Sequence, residues 1–326
     1  MEVFIIAEAG SNWWANDDGG FDRAFRLIDV AADAGADACK FQAWSKGRVY
    51  AAQLGTNTVS DELDRIELPK EWIPQLADYC DKRGIEFMAS VFSVEDLKAV
   101  DPYVKRHKIA SCELSHLELI RAAIETGKQV ILSTGAATYS EIEVVLDRCE
   151  YNDVILLQCT SSYPAPTHEL NLFAMDELPV TPRMGLSDHS LDPIIPAVMA
   201  VALGATVIEK HFTLSNKLSG PDHCYALEPD ELRTLVRSIR TAEICMGDGV
   251  KKVMPSEREV RGCGVRSVQA TKDISVGSVL TKDNIAALRP GNRKQGEHAL
   301  RLGDMYGRVV NRTISVGDGV LCEDFE

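Results

Sequence analysis

From the N-terminus to residue 212, the chain alternates short β-prone apolar runs with amphipathic stretches. In the amphipathic stretches, such as FDRAFRLIDVAADAGA at 21–36, apolar residues recur at the spacing of one helix face. Strands that alternate with helices indicate parallel βαβ units, and eight of them fit a (β/α)8 TIM barrel. A doubly wound open sheet is the alternative, but no G-x-G-x-x-G motif follows the first run, which favours the barrel. The eight runs are 3–10, 38–44, 86–92, 107–111, 129–135, 154–162, 184–190 and 206–212. The other predicted helices are 72–84, 117–127, 139–150 and 192–205.

A smaller C-terminal region contains a short internal repeat. The sequence ISVG occurs at 274–277 and again at 314–317, and the residues that follow each copy are also similar. Repetition in a Gly-rich segment predicts a small β-rich domain with internal pseudo-symmetry. We therefore expect a barrel domain at 1–250, a linker at 251–266 and the small domain at 267–326.

Charge and cysteine content restrict the partners and the compartment. The formal net charge of −14 argues against nucleic acid or an anionic membrane as partner, because both call for a basic surface. The nine cysteines include no C-x-x-C pair and are spread through apolar segments, which predicts reduced, mostly buried thiols in the cytoplasm. The first apolar run is too short for a signal peptide, and no stretch approaches a membrane span.

Polar and charged residues stand at the ends of seven predicted strands, which is where the active sites of barrels form. Buried Lys, Glu and Asp are rarely tolerated unless they are paired or functional. Their number at these strand ends therefore favours a functional site over internal ion pairs alone. The ammonium and hydroxyl groups among them suit phosphate and carboxylate oxygens. These donors are Lys40, Lys108, Ser111, Ser133 and Ser187.

Two histidines, His189 and His211, close the neighbouring strands seven and eight. Their imidazoles are placed to share one divalent ion that keeps open positions for water or a substrate oxygen. On spacing alone, the alternative that each is an ordinary structural histidine stays open.

A set of short motifs follows in a characteristic order along the chain. In the barrel segment they are AEAGSN (7–12), KFQ (40–42), KIAS (108–111), ILSTG (131–135), LLQCTSSYPAP (156–166), GLSDH (185–189), EKHFT (209–213) and GPDH (220–223). In the C-terminal region they are DISVGSVLTKDNI (273–285), RPG (289–291) and LGDMYGR (302–308). In this order the motifs resemble the sialic acid synthase family, the N-acetylneuraminate or nonulosonic acid synthases, including its C-terminal antifreeze-like (SAF) domain.

The resemblance implies a transferase that condenses phosphoenolpyruvate with an N-acetylated amino sugar to a nonulosonic acid and releases phosphate. The sugar would be N-acetylmannosamine-like or a 6-deoxy-diacetamido hexose. It also implies a divalent metal, Mn²⁺ with Co²⁺ or Mg²⁺ as alternatives, and a domain-swapped homodimer. Two alternatives are another phosphoenolpyruvate-dependent 3-deoxy-sugar-acid synthase and a non-catalytic carbohydrate-binding protein.

Position by position, the family pattern assigns roles to particular residues. It makes His189 and His211 the metal ligands, and Glu8 and Glu113 the catalytic candidates for proton handling. The matching phosphoenolpyruvate-binding positions are Lys40, Lys108, Ser111, Ser133, Ser161, Tyr163 and Ser187. The matching sugar positions are Gln42, Asp222 and Arg289, of which Arg289 would reach the site of the partner subunit, and His223 is a further sugar-site candidate.

One stretch departs from the family pattern. After AEAGSN the family usually continues with a His-Asn-Gly-like run, whereas this chain has WWANDDGG at 13–20. The two tryptophans, Trp13 and Trp14, either pack against a neighbouring helix or subunit, or reshape the acceptor pocket beside Glu8.

Overall fold

Eight parallel strands close into one barrel in the computed structural model of the chain, which describes residues 2–17, 19–49, 65–149, 154–178 and 183–325. The strands are β1 (Phe4–Gly10), β2 (Ala38–Ala43), β3 (Glu86–Val91), β4 (Arg106–Ile109), β5 (Gln129–Ser133), β6 (Val154–Cys159), β7 (Met184–Asp188) and β8 (Val207–His211). Because β1 pairs with both β2 and β8, the sheet has no open edge. The predicted TIM barrel is confirmed, and the open-sheet alternative is wrong.

Helices connect the strands and cover the outside of the barrel. They are α1 (Gly20–Ala34), α2 (Lys46–Val49), α3 (Ile73–Arg83), α4 (Val94–Val100), α5 (Leu117–Glu125), α6 (Tyr139–Cys149), α7 (Ala174–Glu177), α8 (Ile195–Ala202) and α9 (Pro229–Met246). All five predicted helices are present, and α1 ends as predicted at Gly35, whose φ of 83° is the left-handed conformation that favours glycine. The helix predicted at 192–205 starts later, because Oδ1 of Asp192 accepts hydrogen bonds from the backbone of Ile194 and Ile195 and ends the preceding turn.

The lower part of the barrel interior is filled by apolar side chains from alternate strand positions. This layer consists of Ile6, Ala38, Met88, Ile131, Ile155, Leu157 and Val207. It seals the barrel, so any ligand site inside it must lie closer to the carboxyl ends of the strands.

The chain parts into two compact units between Gly247 and Asp248. The second unit contains α10 (Arg258–Cys263), the antiparallel strands β9 (Ser267–Ala270) and β10 (Ile285–Leu288), and α11 (Leu302–Met305). The residues predicted to link the domains, 251–266, therefore include a short helix of this unit.

The ISVG repeat forms the centre of a pseudo-two-fold arrangement in the second unit. Ile274 and Ile314, one from each copy, exchange both backbone hydrogen bonds at 2.9 Å. The backbone N–H of Gly277 donates to the carbonyl of Val310, and that of Gly317 donates to the carbonyl of Ala270, which is the same contact repeated with the copies exchanged. The internal pseudo-symmetry predicted from the repeat is thus present in the backbone.

The cysteines are all free, but fewer are buried than predicted. Cys39, Cys80 and Cys159 are buried, and the expectation of mostly buried thiols is wrong because several others lie in turns and on outer helix faces. The exposed ones are Cys112, Cys224, Cys245 and Cys263. None of the helices in the described part of the chain has the length and apolar content of a membrane-spanning segment.

Candidate active site

A layer of polar side chains lies directly above the apolar layer, at the carboxyl end of the barrel. Side chains two residues apart on a strand face the same side of the sheet, so Glu8 faces inward like Ile6. The same spacing turns one polar residue inward on most of the other strands, and all of these residues are buried. The layer consists of Glu8, Lys40, Ser90, Lys108, Ser133, Ser187 and Glu209.

Two buried lysines and two buried glutamates form one charge network in this layer. Nζ of Lys40 lies 2.6 Å from Oε2 of Glu8 and 3.5 Å from Oε2 of Glu209, and Nζ of Lys108 lies 3.8 Å from Oε1 of Glu209. Burial acts to raise the pKa of Glu209, but the attraction of Lys108 and Lys40 outweighs it and lowers that pKa to about 2. Burial raises the pKa of Glu8 to about 7, against the attraction of Lys40. The network thus pairs a firmly ionised carboxylate with one that exchanges protons near neutral pH.

Both lysines and Glu209 also bond to a serine hydroxyl. Nζ of Lys40 donates to Oγ of Ser90 at 2.8 Å, and Nζ of Lys108 donates to Oγ of Ser133 at 2.7 Å. Oγ of Ser187 donates to Oε1 of Glu209 at 2.9 Å. Ammonium and hydroxyl donors therefore converge at one buried place, which is the arrangement that anionic oxygens require.

A second group of hydroxyls surrounds Gly135, just after β5. Its backbone N–H donates to Oγ of Ser111 at 3.0 Å, and Oγ of Ser111 donates to Sγ of Cys159 at 3.4 Å. A Cβ atom at position 135 would lie only 2.2 Å from Oγ of Ser161, so this position requires glycine. The close approach of backbone and hydroxyls around Gly135 forms a concave donor surface of the kind that binds phosphate.

The two histidines at the ends of β7 and β8 are close together, with ring centroids 5.5 Å apart. Nδ1 of His189 lies 2.9 Å from the carbonyl oxygen of Thr160, and because a carbonyl only accepts, Nδ1 carries the proton and the lone pair is on Nε2. Nδ1 of His211 is buried without a hydrogen-bond partner, and burial lowers the pKa of this imidazole to about 4, so it is neutral at pH 7. The ring of Tyr163 lies 4.2 Å from that of His189.

Histidine binds a metal through the lone pair of its neutral imidazole. His211 is in that form, and the pKa of His189 is raised because its contacts with Cys159 and Thr160 outweigh burial, so His189 releases a proton when it binds the ion. The short distance between the two rings fits a shared divalent ion. Within the described residues no group of three or more His, Cys, Asp or Glu forms a protein-only metal cluster. An ion at the two histidines would therefore keep coordination positions for other ligands.

Asp222 and Gln42 lie at the same end of the barrel, around Gly10. A Cβ atom at Gly10 would lie 3.0 Å from Oδ2 of Asp222, 3.3 Å from Oε1 of Glu8 and 3.4 Å from Nε2 of Gln42. Nε2 of Gln42 donates to Oε1 of Glu8 at 3.3 Å, and Oδ2 of Asp222 accepts from Oγ of Ser11 at 2.9 Å. The two predicted sugar residues of the barrel and Glu8 are thus brought together.

Two predicted residues are not part of this group. Glu113 lies in the turn after β4, half-buried, and its ion-pair partner is His116, with Oε2 and Nδ1 3.5 Å apart. Burial raises the pKa of the Glu113 carboxyl. Arg289 is exposed directly after β10 in the second compact unit, and its predicted role in the site of a partner subunit stays a prediction.

Comparison with known proteins gives the family. Residues 27–251 match the model of the NeuB family, and residues 265–326 match the SAF domain. The chain belongs to the NeuB family. It is 37% identical to the spore coat polysaccharide biosynthesis protein SpsE of Bacillus subtilis, over 99% of this chain and 93% of that protein. It is 36% identical to the N,N'-diacetyllegionaminic acid synthase of Campylobacter jejuni, over 95% of this chain and 96% of that protein.

A solved structure supports the same assignment. The crystal structure of an N-acetylneuraminic acid synthetase from Leptospira borgpetersenii, in complex with citrate, is 37% identical with a TM-score of 0.71, over 79% of this chain and 90% of that chain. The sialic acid synthase resemblance is therefore confirmed. This NeuB-family chain is an enzyme, a transferase that forms a carbon–carbon bond, which excludes a non-catalytic carbohydrate-binding protein.

The WWANDDGG departure of this NeuB-family chain is explained mainly by packing. Trp13 is 4% exposed, and its ring packs edge-on against Trp72 with centroids 5.2 Å apart. Nε2 of His223 donates to the carbonyl oxygen of Trp14 at 2.9 Å, and Nδ1 of His223 lies 2.6 Å from Oγ1 of Thr213. Both ring nitrogens of His223 have protein partners, so this histidine holds the loop after β1, and its place among the sugar contacts stays a prediction.

Sequence reasoning missed Glu209, the residue that joins the two lysines. The strand-end pattern and the family motifs assign no role to it. The signal was available, because Glu209 lies two residues before His211 and therefore faces the same side of β8. Ser90, the partner of Lys40, was missed because the third strand alone gave no polar signal beyond one serine.

Proposed function

We propose that the chain condenses phosphoenolpyruvate with the open-chain form of an N-acetylated amino sugar and releases phosphate, giving a nonulosonic acid. The sugar is N-acetylmannosamine-like or a 6-deoxy-diacetamido hexose. The observation that carries the proposal is the buried network of Lys40, Lys108 and Glu209 beside His189 and His211, whose ring centroids lie 5.5 Å apart. Such a network combines anion binding with a place for a Lewis acid.

The lysines and serines are proposed to bind the two anionic groups of phosphoenolpyruvate. Lys40 and Lys108 are balanced by Glu8 and Glu209 in the chain alone, so a bound anion shifts this balance toward protonation of Glu8. Glu8 accommodates that change because its pKa is already raised to about 7 by burial. Ser133, which bonds to Lys108, adds a hydroxyl donor. The other hydroxyl donors are Ser111, Ser161, Tyr163 and Ser187.

A divalent metal, Mn²⁺ with Co²⁺ or Mg²⁺ as alternatives, would be held by His189 and His211. When bound, such an ion supplies Lewis-acid polarisation of a carbonyl oxygen. Imidazole ligands suit Mn²⁺ or Co²⁺ better than Mg²⁺, which prefers oxygen. The hydrogen bond from His189 to the carbonyl of Thr160 fixes its ring and keeps Nε2 free for the ion.

The reaction follows from placing the two substrates side by side. Carbon 3 of phosphoenolpyruvate bonds to the aldehyde carbon of the sugar, and the aldehyde oxygen takes up a proton, for which Glu8 is the donor closest to the acceptor side. Water adds to carbon 2, and the bond between carbon 2 and the phosphate oxygen then breaks, which leaves the keto acid and inorganic phosphate. The protein residues contribute orientation and electrostatic stabilisation of the anionic groups.

The acceptor side is proposed to consist of Gln42 and Asp222, completed by Arg289 of the partner subunit in a domain-swapped homodimer. Glu113 serves as a second candidate for proton handling, with its carboxyl pKa raised by burial. The convergence of Asp222 and Gln42 beside Glu8 supports this placement.

Phosphate release from phosphoenolpyruvate, measured with Mn²⁺ and a panel of aldoses, tests the proposal. We expect release with N-acetylmannosamine or with 6-deoxy-diacetamido hexoses, and identification of a nine-carbon keto acid by mass spectrometry. Lys108→Met is the matched negative control, since it removes one phosphate-side ammonium. Release with phosphorylated aldoses and none of the amino sugars would replace the proposal by another 3-deoxy-sugar-acid synthase.

A further inference from the structure

Tyr225 lies in the wall of the proposed acceptor pocket, although no motif in the sequence singles it out. It ends the short turn His223–Tyr225 that follows Asp222, and only 6% of it is exposed. Its ring centroid lies 5.4 Å from that of His211 and 5.4 Å from that of Tyr163. The ring of Tyr163 lies 5.9 Å from that of His211, so the three rings are mutual neighbours.

The hydroxyl of Tyr225 holds the Asp222 carboxylate from one side. It donates to Oδ1 at 2.6 Å, while Oγ of Ser11, from the loop after β1, donates to Oδ2 at 2.9 Å. The backbone N–H of Ser11 also donates to Oδ2, at 3.4 Å, so Tyr225 holds one carboxylate oxygen and Ser11 holds the other. A carboxylate has about four lone-pair sites, so Asp222 keeps capacity to accept from a ligand hydroxyl or amide.

The place of the carboxylate leaves it little freedom. Oδ2 of Asp222 would be 3.0 Å from a Cβ atom at Gly10, which is where Glu8 and Gln42 also converge. A rotation of Asp222 about its side-chain bonds would therefore break these hydrogen bonds and move its oxygens away from these groups. Charge-assisted hydrogen bonds of this length are among the stronger ones in proteins. Losing one of them therefore allows the Asp222 side chain to rotate.

We propose that Tyr225 is a positioning residue for the acceptor sugar: its hydroxyl fixes Asp222 in the orientation that meets the sugar, and its ring closes the pocket beside His211. The inference rests on the proposed function, because it takes Asp222 as a contact of the acceptor. It assigns the hydroxyl of Tyr225 no part in phosphoenolpyruvate binding, since that hydroxyl donates to Asp222.

Steady-state kinetics of Tyr225→Phe with both substrates varied separately test the inference. The substitution keeps the ring and removes the hydroxyl, so we expect the acceptor KM to rise roughly tenfold, the scale of one hydrogen bond to a charged group. The KM for phosphoenolpyruvate should stay unchanged. Ser11→Ala removes the hydroxyl donor to Oδ2 and keeps the backbone N–H donor, so it should raise the acceptor KM by less than Tyr225→Phe does.

A double-mutant cycle separates positioning from general damage. Asp222→Asn should raise the acceptor KM by itself, and adding Tyr225→Phe to it should raise KM further by much less than tenfold, because the hydroxyl acts through Asp222. The matched control is Tyr79→Phe, which removes another tyrosine hydroxyl bonded to a carboxylate, Oδ1 of Asp29 at 2.8 Å, outside the site. It should leave both KM values unchanged.

An unchanged acceptor KM in Tyr225→Phe, equal changes in both KM values, or full additivity with Asp222→Asn would each overturn the inference. These outcomes presuppose an active wild-type enzyme. If the wild type releases no phosphate with any amino sugar, the proposed function itself is overturned and the inference falls with it. Failure of the inference alone therefore looks different from failure of the function.

Discussion

Nζ of Lys40 lies 2.6 Å from Oε2 of Glu8, and both side chains are 2% exposed. The pair joins two neighbouring strands, β1 and β2, inside the barrel. Removing one partner of a buried ion pair leaves an uncompensated charge, whereas removing both leaves none. The pair is therefore expected to contribute to stability as well as to the site.

Lys40→Met should lower the free energy of unfolding by about 3 kcal/mol, because the carboxyl of Glu8 loses its partner in the buried layer. Adding Glu8→Gln should restore part of this loss, since the double variant buries no unpaired carboxylate. Urea denaturation of the two single variants and the double variant measures the coupling. If the stability losses of the two single variants add up to the loss of the double variant, the two residues act independently.

Removal of either histidine should abolish metal-dependent turnover. His189→Ala and His211→Ala each delete one of two proposed ligands, so we expect Mn²⁺ affinity to fall by at least about 100-fold and activity to be lost. Isothermal titration with Mn²⁺ reports binding independently of turnover. His168→Ala, which changes a largely exposed histidine away from the strand ends, is the control. Full activity after dialysis against EDTA would contradict a metal role.

The fold was predictable because it depends on local patterns. Eight apolar runs, alternation with helices and the glycine at the end of α1 fix the order of elements, and the barrel follows from their number. The long helix α9 was not predicted, although Glu228 and Glu231 form a capping box at its start. This helix follows the eighth strand, so the alternation of eight strands with helices does not require it.

The site was predictable as a list of residues and less so as a set of contacts. Strand ends of a barrel converge whatever their sequence, so polar residues there were expected to meet. Which of them pair depends on strand register and side-chain length, and neither is readable from the chain. Glu209 shows this, because its distances to Lys40 and Lys108 follow from the β8 register. Glu113 is the opposite case, because its ion-pair partner, His116, is only three residues away in the sequence.

His107 should contribute a loss of stability as the pH drops from about 7 toward about 5, because its imidazole takes up a proton in the unfolded chain and stays neutral in the folded one. His107 is fully buried, and its Nε2 lies 3.0 Å from Oδ1 of Asp101. Burial lowers its pKa below the ordinary value, outweighing the attraction of Asp101. The unfolded chain therefore binds a proton near pH 6.5 that the folded chain does not, and stability declines below that pH until the folded pKa is passed.

The contribution of His107 is isolated by substitution. His107→Gln should flatten the pH dependence of the urea midpoint between about pH 7 and about pH 5, because the variant has no group that titrates at this position. His168→Gln changes an exposed histidine, and the urea midpoint of this variant should depend on pH with the same slope as that of the wild type. The same slope in His107→Gln and wild type would assign the pH dependence to other groups.

Trp13→Ala should weaken the fold and leave sugar choice unchanged. The ring is buried in the core cluster outside the barrel sheet and packs against Trp72, so its deletion leaves a cavity costing about 3–5 kcal/mol. Unfolding in urea gives this loss, and kinetics at a temperature where the variant stays folded give the acceptor KM and the order of preference in the sugar panel. Trp14→Ala is the informative comparison, because the Trp14 ring is only partly buried. The backbone carbonyl of residue 14 accepts from His223, and it does so with either side chain at this position. A changed sugar preference in Trp13→Ala, with the fold intact, would mean that the WWANDDGG segment shapes the acceptor pocket after all.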